Sequence, residues 1–346
     1  MEKILTRIMT VVLFVLLCIL FYLVGDLALS YYDNSIEIVE KVEVVDDEKD
    51  NKKDIILPEI EASETIDSEL IKEDNIYKEE QKKDEIINIL LVGVDTRSYD
   101  FNSRSDSMIL LSYNKTDHVV KMVSFLRDTW VYLPDRGYSR INNATAYGGV
   151  GLLINTLNEN FDLDIQNYVQ VRFEDFKEVI DILGGLDVEL SQSEIDYINW
   201  KLHEEDKDWK NDVVAKPGVV HLNGVQTLWH CRNRNIGSGD FTRTDRQREV
   251  LSLLIDKALN MSMVELTQLL YELKDSVDMN IPLESLIIIA NDALISKNIT
   301  IESYRIPFDG MYHYANKNGA SVLEIDMDKT VEELHNILGF AEEVEE

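Results

Sequence analysis

The sequence predicts a layered α/β/α domain with a mixed central sheet, preceded by one transmembrane helix and a disordered stalk. Three observations predict it. An uncharged apolar run lies at the N-terminus, a stretch rich in Asp, Glu and Lys follows, and from Ile86 onward short apolar strand-like runs alternate with helical ones. Strands interleaved with helices bury their apolar sides best as helices packed on a sheet. The expected organisation is a cytoplasmic N-terminus over 1–7, an anchor over 8–30, an acidic stalk over 31–85, one extracytoplasmic domain over 86–341 and an acidic tail over 342–346.

Residues 8–25, IMTVVLFVLLCILFYLVG, are about long enough to cross a bilayer as a helix. Lys3 and Arg7 precede the run and Asp26, Asp33 and Glu37 follow it. Positive charge stays inside, so the bulk of the chain is placed outside the cell. Good signal-peptide cleavage residues do not follow, which favours an uncleaved anchor. Residues 33–85 hold almost no aromatics. They cannot bury enough apolar surface to offset their ordering entropy, and read as a solvated stalk.

Within the domain, residues 87–93, 107–113 and 119–126 read as strands. A helix follows over 146–161, with Leu152, Leu153, Leu157 and Phe161 roughly on one face. Next come a strand over 168–171, a helix over 173–183 stopped by Gly184-Gly185, and a strand over 186–190. Residues 224–229 form a short helix, and 240–259, 264–273 and 282–295 three more. Strands over 299–306 and 321–325 and a helix over 330–338 close the domain.

The net charge is −31, which excludes a nucleic-acid binder because that needs a broad basic face. Yet five arginines (Arg232, Arg234, Arg243, Arg246 and Arg248) fall between His230 and Glu249. A guanidinium fork fits two phosphate or carboxylate oxygens at once. On an extended arm Arg232 and Arg234 point to one side, and Arg243, Arg246 and Gln247 follow a glycine turn at helical spacing. The two arms can converge on one small polyanion. Single arginines of this kind are mostly incidental surface ion pairs; the clustering argues otherwise.

Acidic and basic residues also meet at successive strand ends: Asp95 with Arg97, Arg104 with Asp106, and Arg127 with Asp128. Ligands of open α/β sheets gather beyond the carboxyl ends of strands. Two carboxylates beside a phosphate site suit Mg²⁺, with Mn²⁺ as the alternative. No ATP P-loop, G-x-S-x-G or H-E-x-x-H motif is present. His221 and His230 have no zinc spacing, and Cys18 and Cys231 make no disulfide framework. Trp130, Tyr147, Trp229 and Phe241 are read as core, or else as the lining of a channel for a lipid tail.

Seven stretches carry a resemblance: NILLVGVDTR, RSDSMILLSYN, SFLRDTWVYLP, RINNATAYGG, FKEVIDILGGLDVEL, HLNGVQTLWHCRNR and GDFTRTDRQREVL. Together and in this order they resemble the LytR–CpsA–Psr family of extracytoplasmic glycopolymer transferases. The resemblance implies a phosphotransferase that moves a teichoic-acid- or capsule-type polymer from a polyprenyl pyrophosphate carrier to a peptidoglycan hydroxyl beside the lipid bilayer. It implies that Asp95 and Asp106 hold Mg²⁺ on the pyrophosphate. It implies that Arg104, Arg127, Arg140, Arg232, Arg234 and Arg243 bind the pyrophosphate oxygens, supported by Arg246 and Gln247, with Arg97 a further candidate. Asp95, Asp106 or Asp128 takes the hydroxyl proton; the residues alone do not choose. The rival readings are a hydrolase acting on the same lipid and a membrane-tethered regulatory module.

Overall fold

The computed structural model describes residues 86–95, 103–205, 213–274, 276–296 and 299–340. The anchor, stalk and acidic tail lie outside them, as does Arg97. Among the described residues no helix is long and apolar enough to cross a membrane.

The strands are β1 (Ile86–Val94), β2 (Ser105–Asn114), β3 (Val119–Phe125), β4 (Trp130–Leu133), β5 (Gly137–Arg140) and β6 (Asn167–Arg172), then β7 (Leu186–Leu190), β8 (Gly218–Leu222), β9 (Asp278–Met279), β10 (Thr300–Ile306), β11 (Tyr312–Lys317) and β12 (Ala320–Ile325). The helices are α1 (Asn143–Phe161), α2 (Phe173–Ile182), α3 (Gln192–Glu205), α4 (Gly224–Arg232), α5 (Asp240–Leu259), α6 (Met263–Leu273), α7 (Leu283–Ser296) and α8 (Met327–Leu338).

Six strands form the central sheet in the order β10-β3-β2-β1-β6-β9. The β3–β10 and β1–β6 pairs are parallel and the β1–β2, β2–β3 and β6–β9 pairs antiparallel, so the sheet is mixed as expected. Its central strands are buried on both sides, which is why they read as near-continuous apolar runs. Leu90, Val92, Leu110 and Phe125 pack against α1 and α8 through Leu153, Leu157, Phe161 and Leu334. On the opposite face Ile109, Tyr113 and Met122 meet Leu251 and Ile255 of α5 and Ile289 of α7.

Local signals set several boundaries. Helix α2 ends where Gly184 and Gly185 adopt positive φ, and Gly185 N–H donates to the Ile180 carbonyl. Helix α4 begins with a capping box between Asn223 and Gln226. Helix α1 starts earlier than the sequence suggests, at Asn143, and is broken at Gly148–Gly149.

Elements the sequence reading omits are β4, β5, α3, β8, β9 and β11. Strands β4 and β5 have four residues each, and α3 is a polar helix with its buried Ile195, Ile198 and Leu202 thinly spaced. One expectation is corrected. Arg232 is not on an extended arm with Arg234, because α4 continues through it, and its hydrogen-bonded turns override the alternating pattern.

Candidate active site

The site begins with an irregularity between β1 and β2. Gly93 pairs with Ser107 and Val94 with Ser105, so Asp106 is an extra residue in the ladder. Such a bulge re-aims the side chain it carries. Buried Ser105 fixes it further, its N–H donating to Thr145 Oγ1 at 2.9 Å. Asp106 Oδ1 then accepts from Arg127 Nη1 at 2.9 Å, Arg234 Nη2 at 3.4 Å and Arg243 Nη1 at 3.5 Å. These arginines come from the β3–β4 turn, the segment after α4, and the first turn of α5.

A second carboxylate closes the cluster. Asp240 Oδ1 lies 3.0 Å from Arg243 Nη2 and 3.6 Å from both Arg127 Nε and Arg234 Nε. Asp240 opens the helix expected over 240–259, and its i, i+3 spacing to Arg243 is the signal in the sequence for this pair. Three guanidinium groups thus surround two carboxylates, leaving one positive charge over.

The pairing is incomplete. Both Asp240 oxygens, Arg127 Nε, Arg243 Nε and Nη2, and Gln247 Oε1 are buried without a hydrogen bond. The Asp240 contacts are ion pairs only: those to Arg127 and Arg234, at 3.6 Å, are too long for hydrogen bonds, and that to Arg243, at 3.0 Å, makes none. Buried polar atoms are nearly always bonded, so several orphans in one place make this cluster a candidate ligand site. Burial pushes the Arg243 guanidinium down to about 10, still charged at neutral pH. Burial pushes the Asp106 carboxyl up, but Arg243, Arg127 and Arg234 outweigh it and hold the group below its ordinary 3.8. Burial likewise opposes the Arg127 charge, and Asp240, Asp106 and Asp128 more than restore it.

The other predicted residues take different places. Arg140 Nη1 donates to Asp128 Oδ1 at 3.3 Å, and Asp128 Oδ2 lies 3.6 Å from Arg127 Nε, so this pair borders the cluster. Arg232 Nη2 donates to Asp95 Oδ2 at 3.0 Å while its guanidinium lies over the Phe173 and Trp229 rings. Buried Arg246 donates to Glu194 Oε1 at 2.9 Å and to the Asn233 and Ile236 carbonyls at 2.9 and 3.3 Å. It holds the loop that carries Arg234 rather than facing the cluster. Arg104 is exposed and makes no ion pair among the described residues. Among the described residues, no three His, Cys, Asp or Glu side chains gather as a metal-ligand group.

An apolar tunnel of about 400 Å³ runs from this cluster between the sheet and helices α2, α5 and α6. Leu91, Ile109 and Val171 form its sheet wall, and Asp106, Arg234 and Arg243 its charged end. Gly93 lines it too; a Cβ there would stand 3.1 Å from Ser107 Cβ. Trp130, Tyr147, Trp229 and Phe241 are not in its wall. Trp229 is core, as its apolar neighbours dictate. Cys231 is buried, its thiol pushed up to about 12 by burial, and so packs rather than reacts.

Residues 51–338 match the LytR_cpsA_psr family. Over 181 residues the chain is 33% identical to polyisoprenyl-teichoic acid–peptidoglycan teichoic acid transferase TagT of Bacillus subtilis, covering 51% of this chain and 54% of TagT. The chain therefore spans about half the length of that relative. To the TagU transferase of Oceanobacillus iheyensis it is 34% identical over 251 residues, 69% of this chain and 72% of TagU. The solved structure of TagT with bound octaprenyl pyrophosphate lipid is 27% identical, with a TM-score of 0.58 over 78% of this chain and 97% of that one. A family match across most of the chain, with the mixed sheet and arginine cluster in place, makes this chain a member of the LytR_cpsA_psr family.

Proposed function

We propose that this chain is a phosphotransferase that moves a glycopolymer from a polyprenyl pyrophosphate carrier to a hydroxyl of peptidoglycan. The observation that carries the reading is the set of unbonded guanidinium donors at the charged end of an apolar tunnel. A lipid pyrophosphate has the matching halves: an apolar tail for the tunnel and linked anionic groups for the arginines. The TagT and TagU relatives are named for this activity, and TagT binds such a lipid.

Phosphoryl transfer asks a protein mainly for positioning and charge stabilisation. Arg127, Arg234 and Arg243 take the phosphate oxygens, while Asp106 and Asp240 hold the guanidinium groups in place before the lipid arrives. An acceptor hydroxyl oxygen attacks the phosphorus that bears the glycan. The bond from that phosphorus to the bridging oxygen breaks, and polyprenyl phosphate leaves with the electron pair. Asp106, held low by three arginines, suits charge pairing better than proton uptake. Asp95 or Asp128 accepts the hydroxyl proton.

Asp95 and Asp106 also fit a divalent cation. Asp106 turns one oxygen to three arginines and Asp95 one to Arg232, and no described residue bonds the other oxygen of either. Mg²⁺ is typically held by one or two carboxylates plus substrate oxygens and water. Bound there, it would offset charge on the pyrophosphate. Arg140 and the Arg232–Asp95 pair border the site, and Gln247 offers an acceptor in the tunnel wall. Arg104, exposed, extends it outward. Residues 8–30 anchor the chain so that the site faces the outer side of the membrane.

The test is an assay with labelled lipid-linked glycan and peptidoglycan. Label joined to peptidoglycan is the expected result; free glycan as the sole product contradicts transfer and supports hydrolysis.

A further inference from the structure

Beside the arginine cluster stands a row of aromatic rings that none of the chemistry above uses. Phe241 follows Asp240 directly at the start of α5. Its ring lies 5.6 Å from that of Tyr312, tilted by 31°, and Tyr314 meets Tyr312 edge-on at 6.1 Å. The Arg305 guanidinium lies over Phe241 at 5.0 Å. Tyr314, at the far end, is 67% exposed.

The strip is tied to the catalytic loop. Tyr312 and Tyr314 are alternate residues of β11, so they share one face of the β11–β12 hairpin. In β12, Leu323 N–H donates to the Asp128 carbonyl at 2.9 Å, and Leu323 bridges to Thr129. The hairpin is therefore continuous with the segment that presents Arg127 and Asp128. None of its residues lines the tunnel. One exposed ring needs no explanation, but three in succession leading from the cluster do.

We propose that Tyr314 and Tyr312, backed by Phe241, form the acceptor subsite, an angled aromatic strip for the near-neutral β-linked N-acetylhexosamine strand of peptidoglycan. This rests on the transferase reading, which requires a sugar hydroxyl to reach the phosphorus from outside the lipid tunnel. A pyranose presents C–H groups on its faces, and their partial positive charge suits the negative face of an aromatic ring. Phenolic hydroxyls at the strip edge bond the sugar hydroxyls. Charge selects the acceptor over a phosphodiester-linked polymer. Lys317 is paired to Glu324 at 3.2 Å and Arg305 to Asp309. These two cations beside the strip are thus each already matched by a carboxylate, leaving little to draw a polyanion.

The test titrates the full chain with a β-1,4-linked N-acetylglucosamine tetramer. Tyr314→Ala weakens binding about tenfold, the upper range for loss of one aromatic contact. Tyr314→Phe keeps the ring and loses only the hydroxyl contact, so it binds within about fivefold of the parent and more tightly than Tyr314→Ala. Val264→Ala, at another exposed apolar position on α6, leaves the affinity alone. The proposal is overturned if Tyr314→Ala binds the tetramer as the parent does, or if the parent shows no saturable binding. It is also overturned if a glycerol-phosphate oligomer binds more tightly than the tetramer and Tyr314→Ala weakens that instead. Polyprenyl pyrophosphate binding is measured alongside. A parent that binds the tetramer through Tyr314 but not the lipid supports the strip while sinking the transferase reading.

Discussion

Arg243 and Arg246 sit one turn apart on the same helix, and both are almost wholly buried. Arg246 uses its donors on Glu194 and two loop carbonyls. Arg243 faces Asp106 and Asp240, yet keeps Nε and Nη2 without a hydrogen bond. Burying a charge is costly in both places. At Arg246 the protein's own groups offset the cost, so the residue builds the loop that carries Arg234. At Arg243 the offset is left unfinished, and under the proposed function an incoming anion completes it. Burial alone therefore does not mark a functional arginine, nor do unbonded donors alone, since buried Arg248 on the same helix has them as well; what singles out Arg243 is unbonded donors beside Asp106 at the charged end of the tunnel.

The largest expected effect separates the two arginines by stability. Arg246→Ala leaves Glu194 partly buried without its partner and two carbonyls unbonded. It is expected to cost about 3–5 kcal/mol, read as a lowered midpoint in urea unfolding. Arg243→Ala removes a poorly satisfied charge, so its unfolding free energy stays within about 1 kcal/mol of the parent. Its transfer rate, in contrast, falls ~10²–10³-fold, as when one preorganised donor to a transition-state anion is lost. If Arg243→Ala unfolds the protein while Arg246→Ala spares it, the comparison is reversed and the site is misassigned.

A smaller effect comes from the tunnel. Val171→Trp places a large side chain in its wall and is expected to weaken octaprenyl pyrophosphate binding about tenfold, with geranyl pyrophosphate little changed. Equal losses for both lipids would move the tail elsewhere.

The smallest effect is on pH. The folded Asp106 carboxyl lies below its ordinary value, so its stabilising contribution is present above pH 3.8 and is lost as pH falls through the lowered folded value. The stability gap between the parent and Asp106→Asn is thus expected to be constant near neutrality and to shrink in acid, measured by urea unfolding from pH 7 downward. A gap that widens in acid would contradict the pairing.

Near-continuous apolar runs made β1 and β2 legible in the sequence, and partial alternation β3, because strands in the middle of the sheet have little room for polar residues. Strand β11, with His313, Asn316 and Lys317, was not legible, since its stability comes from pairing with β12 and not from its own burial. Arginine type and spacing pointed to an anion site. They could not divide cradle from clasp, because Arg243 and Arg246 carry the same chemistry and differ only in what folding brings to each. The tunnel was suspected, but from the wrong aromatics. Its wall is made of residues such as Leu91, Ile109 and Val171, which in sequence look like any other core positions.

The most direct test of the account is equilibrium binding of the full chain to octaprenyl pyrophosphate and to octaprenol, with parent and Arg243→Ala side by side. The parent is expected to prefer the pyrophosphate by at least about 100-fold, as two or more charge-assisted hydrogen bonds require, and Arg243→Ala to lose most of that preference. Equal affinity of the parent for the two lipids, or an undiminished preference in the variant, would contradict a guanidinium cradle at the tunnel mouth.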